Sequence, residues 1–584
     1  MSAALRSRDP QRLAILAVQA FLVPVLALTL FLALVVPYHA TDALVFGGFS
    51  RWLGLHGGFL HDVIGYPPYS RPLFYAPQGW LWWLFGAHEW IGRLLSLAFF
   101  LALLWGVFSV ARDRTLPATA PWLAVLLLFA CPDFVLQAIA GQTDVPVAAM
   151  IALLALLLWR APPGARTAIL IVLVAAAAVL AKATALPALV GLGAGMLLGD
   201  RAGLLDRLRW SIVPLAIGTG LGLLYGVLMA RHFNLALNEF LGGVAGPANA
   251  DPSVGTAGGS TGSVAGDAPR TSAAERVGSA VSSFTDSERP AILLRVEWLG
   301  SYVRMLALFS LVYAAARVVA IPHRIATIGA LALGLIGYWI GPEVLAGGRG
   351  ALDVGAGALV GSILLLVLLA GVLWCPPGER GGRLLFARLL AWGLPPLIAW
   401  GLFGILGDTR TLSPAWPALF VLIGGVAAMG LAGLASRWRW AAIGAIVVML
   451  GLALLNLRNY DGLGARPDGT INSFRALKEL TPGTWFDPAE ARIAADPQLG
   501  GLVVDIRAAR EGRGGRVLTN DGRLGFYFLR DATVAQPPAS CADLEGYDVL
   551  AVLLNLPVPF DPTGFDCLDP VRVVPGSYAV FRVV

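Results

Sequence analysis

The sequence is short of charge and almost devoid of lysine. Charged residues make up 13% of the 584 residues and hydrophobic residues 57%, whereas about a quarter of a soluble domain is charged. This composition excludes an ordinary soluble protein. Lysine and arginine together number 42, yet only Lys182 and Lys478 are lysines. A glycine-rich nucleotide-phosphate loop and a repeat of fixed period are also missing from the sequence.

Long apolar runs take the place of the missing charge. They include Leu13–Pro37, Gly92–Ala111, Trp210–Arg231, Ala358–Trp374 and Trp440–Leu457. At about 1.5 Å per residue, such helices cross a hydrocarbon core of about 30 Å. The first run is too long for the core of a signal peptide, so we interpret it as a retained span. The sequence therefore predicts a polytopic α-helical membrane protein.

Arginines in the breaks between these runs predict which ends of the helices face the cytoplasm. They are Arg112, Arg114, Arg160, Arg166, Arg201, Arg207, Arg209, Arg317, Arg324, Arg380, Arg383, Arg388, Arg437 and Arg439, with Arg6, Arg8 and Arg12 at the start. By the positive-inside rule these positions are cytoplasmic. Counting on this basis predicts about thirteen spans, an amino terminus inside and a carboxyl terminus outside. The pI near 9.3 fits contact with anionic membrane lipids and does not argue for nucleic acid.

Two apolar stretches are too long to be single spans. Ala165–Gly199 would form a helix of about 50 Å, and arginines flank both of its ends. The chain is therefore expected to cross and return, with a turn near Lys182 and Thr184. Pro121–Trp159 is expected to do the same, with its turn at Gln137–Asp144.

The sequence divides into a membrane part and a tail. We predict a transmembrane catalytic domain over residues 1–457, with a first extracytoplasmic loop at 38–91 and a flexible one at 232–296. The first loop contains Ala43–Leu60, whose apolar spacing predicts an amphipathic surface helix. Residues 458–584 lose the apolar character and predict a small extracytoplasmic α/β domain.

Several elements are predicted inside the tail. Short apolar runs predict strands at Arg516–Thr519, Gly525–Leu529, Asp548–Leu554 and Tyr578–Val584, and helices are predicted at Thr470–Leu480 and Ala489–Ala495. Cys541 and Cys567 also lie there. Since an oxidising compartment permits their pairing, we expect a disulfide between them.

Ionisable residues at membrane depth are costly, so each is a functional candidate. Asp42 follows the first span, although it also suits an interfacial helix cap. Asp144 opens the fourth span, although it also suits a helix N-terminal cap favoured by the helix dipole. Lys182 suits a phosphate as a point charge, with a snorkelling side chain as the alternative. Arg410 is a cation on the outer side, where it suits an anion or a local pair with Asp408.

Residue types that can bind a metal ion also occur in the first loop. They are His39, His56, His61, Asp62, His88 and Glu89. No spacing among them is diagnostic of a metal site. A bound divalent cation remains an alternative to a site with no cofactor.

The order of these polar residues resembles the GT-C superfamily of glycosyltransferases that use sugars linked to polyprenyl phosphate. The resemblance is to the protein O-mannosyltransferase and lipid A aminoarabinose transferase group. It rests on Asp42, Tyr66-Pro67-Pro68, Arg93, Thr143-Asp144-Val145-Pro146, Leu180–Leu186 and Arg410 with Pro414 and Pro417. The Tyr-Pro-Pro element also occurs in mannosyltransferases that use polyprenol-phosphate mannose, which leaves the subfamily open.

The resemblance implies roles for these residues. Asp42 would be the catalytic carboxylate and Asp144 a second active-site acid. Lys182, Arg410, Tyr66 and Arg93 would bind the phosphate of the lipid donor. One departure concerns Ala43, since the family often has a second acidic residue there, so a metal or base role for such a pair is not carried over.

The expected function is an inverting transfer of sugar from a polyprenyl-phosphate donor to a lipid, glycan or protein acceptor. It would occur on the extracytoplasmic face of the inner (plasma) membrane, with an aspartate as general base. Two alternatives come from other classes, a lipid or glycan transporter and a non-catalytic envelope-assembly protein. A transporter usually shows paired halves and charges near mid-bilayer, whereas a shared cavity for Asp42, Asp144 and Lys182 would favour the enzyme.

Overall fold

The computed structural model describes helices in the first three quarters of the chain and a mixed sheet near the carboxyl terminus. The described ranges are 10–35, 72–86, 88–129, 144–198, 203–232, 380–403, 413–434, 497–510, 515–520, 532–534, 538–554, 562–575 and 577–584, with residues 47, 50, 51, 322, 325, 329, 332, 524 and 560. All statements below concern these residues.

The helices are named in chain order. They are α1 (Pro10–Val35), α2 (Pro72–Phe85), α3 (Glu89–Ala111), α4 (Ala120–Phe129), α5 (Asp144–Arg160), α6 (Ala165–Ala181), α7 (Leu186–Leu197), α8 (Leu204–Arg207), α9 (Val213–His232), α10 (Arg380–Phe403), α11 (Trp416–Leu434) and α12 (Pro497–Arg510). A single 3₁₀ turn, Ala183–Ala185, separates α6 from α7, and a π-helical turn, Leu208–Ile212, joins α8 to α9.

Apolar side chains cover both the inside and the outside of these helices. Phe100, Leu127 and Ile151 are fully buried. On the outside, Trp105, Leu173 and Leu221 are each at least half exposed. A helix that is apolar on all sides suits a membrane, where the exposed face contacts lipid. Two described helices, Trp90–Ala111 and Leu204–Leu228, are long and apolar enough to cross a bilayer, and shorter apolar helices accompany them.

Small residues allow neighbouring helices to approach closely. A Cβ atom added to Gly106 of α3 would lie 2.8 Å from Cβ of Ala152 in α5. One added to Gly424 of α11 would lie 2.8 Å from the backbone nitrogen of Ala124 in α4. Contacts between small residues replace the hydrophobic effect as the cause of helix association in lipid, because lipid is as apolar as leucine.

Arginines mark one end of the helices. Arg160 at the end of α5 donates a hydrogen bond to the Val110 carbonyl at the end of α3, with 3.1 Å between nitrogen and oxygen. These two helices therefore run parallel. The short link from Arg160 to Ala165 starts α6 at the same end. We call this the arginine end, and the other end of the same helices the polar end.

The predicted turn inside Ala165–Gly199 is confirmed. The helix α6 ends at Ala181, and α7 begins at Leu186. The Cβ position of Gly193 in α7 lies 3.5 Å from Leu215 near the start of α9, so α7 returns to the arginine end. The second predicted turn lies outside the described residues except for Asp144, and α4 and α5 are separate helices on either side of it.

The tail contains a five-stranded sheet with a helix packed on it. Its strands are β1 (Val517–Thr519), β2 (Ala532–Val534), β3 (Val549–Leu553), β4 (Leu568–Val574) and β5 (Tyr578–Val583). Their order is β2-β1-β3-β5-β4, with β1 parallel to β2 and β3, and β5 antiparallel to β3 and β4. Leu502 and Ile506 of α12 share one apolar cluster with Val549 and Val580.

Three of the predicted strands are confirmed, as β1, β3 and β5. The predicted disulfide between Cys541 and Cys567 is also present. The predicted strand Gly525–Leu529, the tail helices Thr470–Leu480 and Ala489–Ala495, and the amphipathic helix Ala43–Leu60 lie outside the described residues, apart from Gly47, Ser50 and Arg51. The flexible loop at 232–296 lies outside them as well, apart from His232, and the count of thirteen spans stays a prediction.

Candidate active site at the polar end of the helices

Asp144 and Lys182 form a buried ion pair at the polar end. Nζ of Lys182 lies 2.7 Å from Oδ1 of Asp144. The side chain of Asp144 is 3% exposed and that of Lys182 is 13% exposed. The two residues are 38 positions apart in sequence, and the antiparallel packing of α5 against α6 brings them together. The structure thus brings two of the predicted site residues into direct contact.

The local backbone holds each partner in place. Asp144 is the first residue of α5, where the positive end of the helix dipole stabilises a carboxylate. Lys182 is in an extended conformation between α6 and the 3₁₀ turn. Its own N–H donates to the Ala178 carbonyl, and its carbonyl accepts from the N–H of Ala185. This break turns the side chain of Lys182 inward, so Lys182 does not simply snorkel toward water.

Arg93 lies at the same end, one turn inside α3. It is completely buried, as is Ser96 on the following turn. The polar end thus contains the buried side chain of Arg93, the mostly buried side chain of Lys182 and the carboxylate of Asp144.

Other buried polar residues were not singled out as site residues from the sequence. Gln78, Ser96, Thr184 and Ser413 are each less than 9% exposed. Within the described part of the chain, the hydroxyl oxygens of Ser96, Thr184 and Ser413 have no hydrogen-bond partner. The available signal was the presence of a hydroxyl or amide inside an apolar run. Buried hydroxyls without partners are costly, so they suit contact with a polar ligand.

The segment before α11 is tied to α10. Nε1 of the fully buried Trp392 donates to the Pro414 carbonyl across 2.8 Å. Pro414 belongs to the motif in which Arg410 lies, so this bond fixes the segment that follows Arg410. Arg410 itself lies outside the described residues, as do Asp42 and Tyr66.

The candidate metal ligands are mostly outside the described residues too. This applies to His39, His56, His61 and Asp62, while the side chain of Glu89 is not described. His88 is partly exposed beside Trp90, with 6.1 Å between ring centroids. Among the described residues no three His, Cys, Asp or Glu side chains are grouped to hold a metal ion.

The ion pair allows a specific chemistry. An ammonium group has three N–H donors, and Asp144 occupies one of those of Lys182. The remaining donors can bind the oxygens of a phosphate. In a site shielded from water such a cation stabilises developing negative charge more strongly than at an exposed surface. The site is thus suited to an anionic ligand that enters from the polar end.

Comparisons with known proteins found similar solved structures but no matching family. No protein-family model matches the sequence, and no curated protein matches it. Two solved structures of ArnT from Cupriavidus metallidurans are similar over 97% of this chain and 98% of theirs. The structure bound to undecaprenyl phosphate has 14% sequence identity and a TM-score of 0.49. The structure in the apo state has 15% identity and a TM-score of 0.48.

ArnT is a lipid A aminoarabinose transferase and a member of the GT-C superfamily. Both TM-scores lie below 0.5, so the assignment of a function depends on the residues of the site.

Proposed function

We propose that this protein is an integral membrane glycosyltransferase that uses a sugar carried on polyprenyl phosphate. The observation that carries the proposal is the buried pair of Lys182 and Asp144 at the polar end. A transferase of this type needs a fixed cation where the phosphate leaves, and ionisable residues at membrane depth generally mark functional sites. Undecaprenyl phosphate, which is bound in one ArnT structure, is a carrier of this class. We propose a carrier of the same class for this chain.

In the proposed reaction, a hydroxyl oxygen of the acceptor attacks C1 of the sugar. The bond between C1 and the phosphate oxygen breaks, and the polyprenyl phosphate leaves with the bonding electrons. A single displacement inverts the configuration at C1. Asp42 takes the proton of the hydroxyl as general base, while Lys182, Arg93, Tyr66 and Arg410 bind the phosphate.

Asp144 has a supporting role in this proposal. It is the second acid of the site, and its hydrogen bond with Lys182 holds the ammonium group in place. The domain division follows the sequence prediction, with catalysis in residues 1–457 and an extracytoplasmic α/β domain in residues 458–584. The disulfide between Cys541 and Cys567 supports an oxidising compartment for that domain, since such bonds persist there.

The test separates chemistry from donor binding. Purified protein in lipid nanodiscs is given an undecaprenyl-phosphate sugar and an envelope extract as acceptor, and release of undecaprenyl phosphate is measured. Asp42→Asn removes the proton acceptor, so transfer should fall by at least about 10²-fold with donor binding kept. Lys182→Met should weaken donor binding, because its charge faces the phosphate before and during the reaction.

Arg166→Gln is the matched control for charge removal. Arg166 is exposed at the arginine end, so this variant should transfer sugar like the wild type. Wild-type rates in purified Asp42→Asn would refute the general base and leave Asp144 as the next candidate. If the wild type released no undecaprenyl phosphate from any lipid-linked sugar, the transferase proposal would be wrong.

A further inference from the structure

The arginine end of the helices contains a second cluster of charges, far from the proposed active site. Arg112, Arg160, Arg207, Arg209 and Arg388 lie there, and the described acidic residues beside them are Asp113 and Asp206. Positive charge therefore exceeds negative charge in this region. The positive-inside rule explains why arginines occur at this end, but it does not require them to be enclosed between helices.

Arg388 is the member of this cluster that packs against a neighbouring helix. It lies on α10 against α7, where the Cβ position of Gly195 is 3.6 Å from Cα and Cγ of Arg388. It interacts electrostatically with Arg207 and Asp113. The Nε atom of Arg388 is buried, and no acceptor among the described residues receives a hydrogen bond from it. A like charge at Arg207 raises the cost of this arrangement.

Asp113 does not neutralise both neighbouring arginines. Its Oδ1 accepts from the backbone N–H of Thr115 at 2.9 Å and from the Thr115 hydroxyl at 2.7 Å. Its Oδ2 is 3.5 Å from the Nη2 atom of Arg160. Both carboxylate oxygens thus have partners other than Arg388. The cluster retains a positive charge that an external anion can balance.

A second enclosed donor points to the same place. Nε1 of Trp159 is buried and has no acceptor among the described residues. The Trp159 ring packs edge to face with Trp392, with 5.9 Å between centroids. Trp392 is one helical turn after Arg388 on α10, so it lies on the same face of that helix. The ring of Trp159 therefore packs on the face of α10 that also carries Arg388.

Exposed apolar side chains lie next to this cluster. Leu197 at the end of α7 is 55% exposed, Leu205 in α8 is 79% exposed and Val213 at the start of α9 is 50% exposed. The π-helical turn Leu208–Ile212 between α8 and α9 follows Arg207 directly, and such turns are frequent at functional sites. A phosphate beside the arginines would thus have an apolar surface beside it. Free phosphate would contact the arginines but not the apolar surface.

We propose that the arginine end binds the phosphate of an anionic phospholipid between Arg160, Arg207 and Arg388, with the acyl chains against Leu205 and Val213. Basic pockets between transmembrane helices on the cytoplasmic side bind anionic lipid headgroups by this chemistry. An arginine can hold a phosphate by two parallel N–H donors. The bound lipid links α5, the α8–α9 segment and α10, which lie apart in sequence.

The test is native mass spectrometry of the full-length protein with added phosphatidylglycerol or, separately, phosphatidylcholine. We expect retained adducts with phosphatidylglycerol in the wild type. Arg388→Gln should reduce this binding about fivefold, which is the effect of losing one cation near an anionic lipid. Arg388→Lys should retain most of it, and Arg166→Gln, which removes an exposed charge at the same end, should match the wild type.

Two further measurements distinguish a bound phospholipid from a bound inorganic phosphate. Leu205→Gln changes an exposed side chain and should weaken phosphatidylglycerol binding without affecting folding, which is checked by thermal unfolding. Inorganic phosphate should not displace the lipid at equal concentration. Equal binding by Arg388→Gln and Arg166→Gln, equal retention of phosphatidylcholine, or displacement by inorganic phosphate would overturn the inference. Sugar transfer is not measured, so failure of the proposed function leaves this result unaffected.

Discussion

Lys182 and Asp144 carry opposite charges in a place where water is largely excluded. Removing one partner of such a pair leaves an uncompensated buried charge, which costs about 3–5 kcal/mol. We expect Lys182→Met and Asp144→Asn each to lower the temperature of unfolding in detergent. The double variant Asp144→Asn/Lys182→Met leaves no charge behind, so its loss of stability should be smaller than the sum of the single losses.

The same three variants separate structure from function. If Lys182 binds the phosphate of the donor, the double variant recovers stability but not donor binding. If the pair only holds α5 and α6 together, stability and donor binding recover in parallel. Strictly additive losses of stability would show that the two residues do not interact as their 2.7 Å separation indicates.

Residue types were sufficient to single out Asp144 and Lys182 from the sequence, but not to predict their contact. A carboxylate and a lone lysine in apolar surroundings are conspicuous because ionisable groups are rare at that depth. The two residues are 38 positions apart in sequence. Their hydrogen bond therefore depends on how α5 packs against α6. Ser96 and Ser413 were not singled out for the opposite reason. A single serine in an apolar run is common and does not by itself indicate a site. Ser96 and Ser413 became candidates only because the structure shows their hydroxyl groups buried without a hydrogen-bond partner among the described residues.

At the scale of single elements, α6 and α9 pack through glycine. A Cβ atom at Gly218 of α9 would overlap the backbone carbonyl oxygen of Val172, whereas nothing lies within 4 Å of the Cβ position of Gly220. Both glycines belong to the same helix. Gly218→Ala should therefore force α6 and α9 apart and lower the unfolding temperature, as overpacking costs about 1–3 kcal/mol.

Gly220→Ala is the matched control, since it adds the same methyl group on the exposed side of α9. Its stability should equal that of the wild type or slightly exceed it, because alanine favours a helix more than glycine does. Thermal unfolding in detergent measures both variants. An equal effect of the two substitutions would show that close contact between α6 and α9 is not what Gly218 provides.

In the tail, α12 is joined to β5 by Tyr578. The hydroxyl of Tyr578 donates to Oδ2 of Asp505 across 2.8 Å. Burial raises the pKa of Tyr578, and the hydrogen bond to Asp505 raises this pKa further. A group whose pKa is raised by folding stabilises the folded state while it is protonated. This contribution is complete below the unfolded pKa of about 10 and is lost as the pH rises through the folded pKa.

Tyr578→Phe should accordingly reduce the stability of the tail by about 1 kcal/mol at neutral pH and remove part of its loss of stability above pH of about 10. Cleavage of residues 497–584 by subtilisin in the full-length protein, followed by mass spectrometry, measures local unfolding between neutral and alkaline pH. The same alkaline sensitivity in Tyr578→Phe and the wild type would show that another group is responsible.

Some elements of the tail follow from local sequence and others do not. β1, β3 and β5 were predicted because each is a short, largely apolar run. β4 was not predicted, since Asp569, Pro570 and Arg572 interrupt its pattern and most of its side chains are exposed. The helix α12 contains Gly500 and Gly501, which weaken a helical prediction. Packing of Leu502 and Ile506 on the sheet stabilises it nonetheless, which is a tertiary effect.

At the scale of the whole molecule, charge separates the two ends of the helical part. Arg160 and Arg388 lie at one end, whereas Arg93 and the pair of Asp144 and Lys182 lie at the other. The sequence predicted this separation because short arginine-rich links alternate with links that contain few arginines. It could not predict that Arg388 of α10 packs against α7, because this contact depends on the close approach of the two helices at Gly191 and Gly195.

The orientation of the whole chain has a direct test at its carboxyl terminus. The arginine pattern and the expected number of spans predict that the tail is extracytoplasmic, and the bond between Cys541 and Cys567 fits an oxidising compartment. An alkaline phosphatase fused after Val584 should therefore be active, since that enzyme needs disulfides of its own, whereas a fusion after Arg166 in the arginine end should be inactive. Thiol labelling of the denatured, unreduced protein should leave Cys541 and Cys567 unmodified. An inactive fusion after Val584 together with two reactive tail thiols would place the tail in the cytoplasm, and would move Asp144 and Lys182 to the side of the membrane where sugar nucleotides are available.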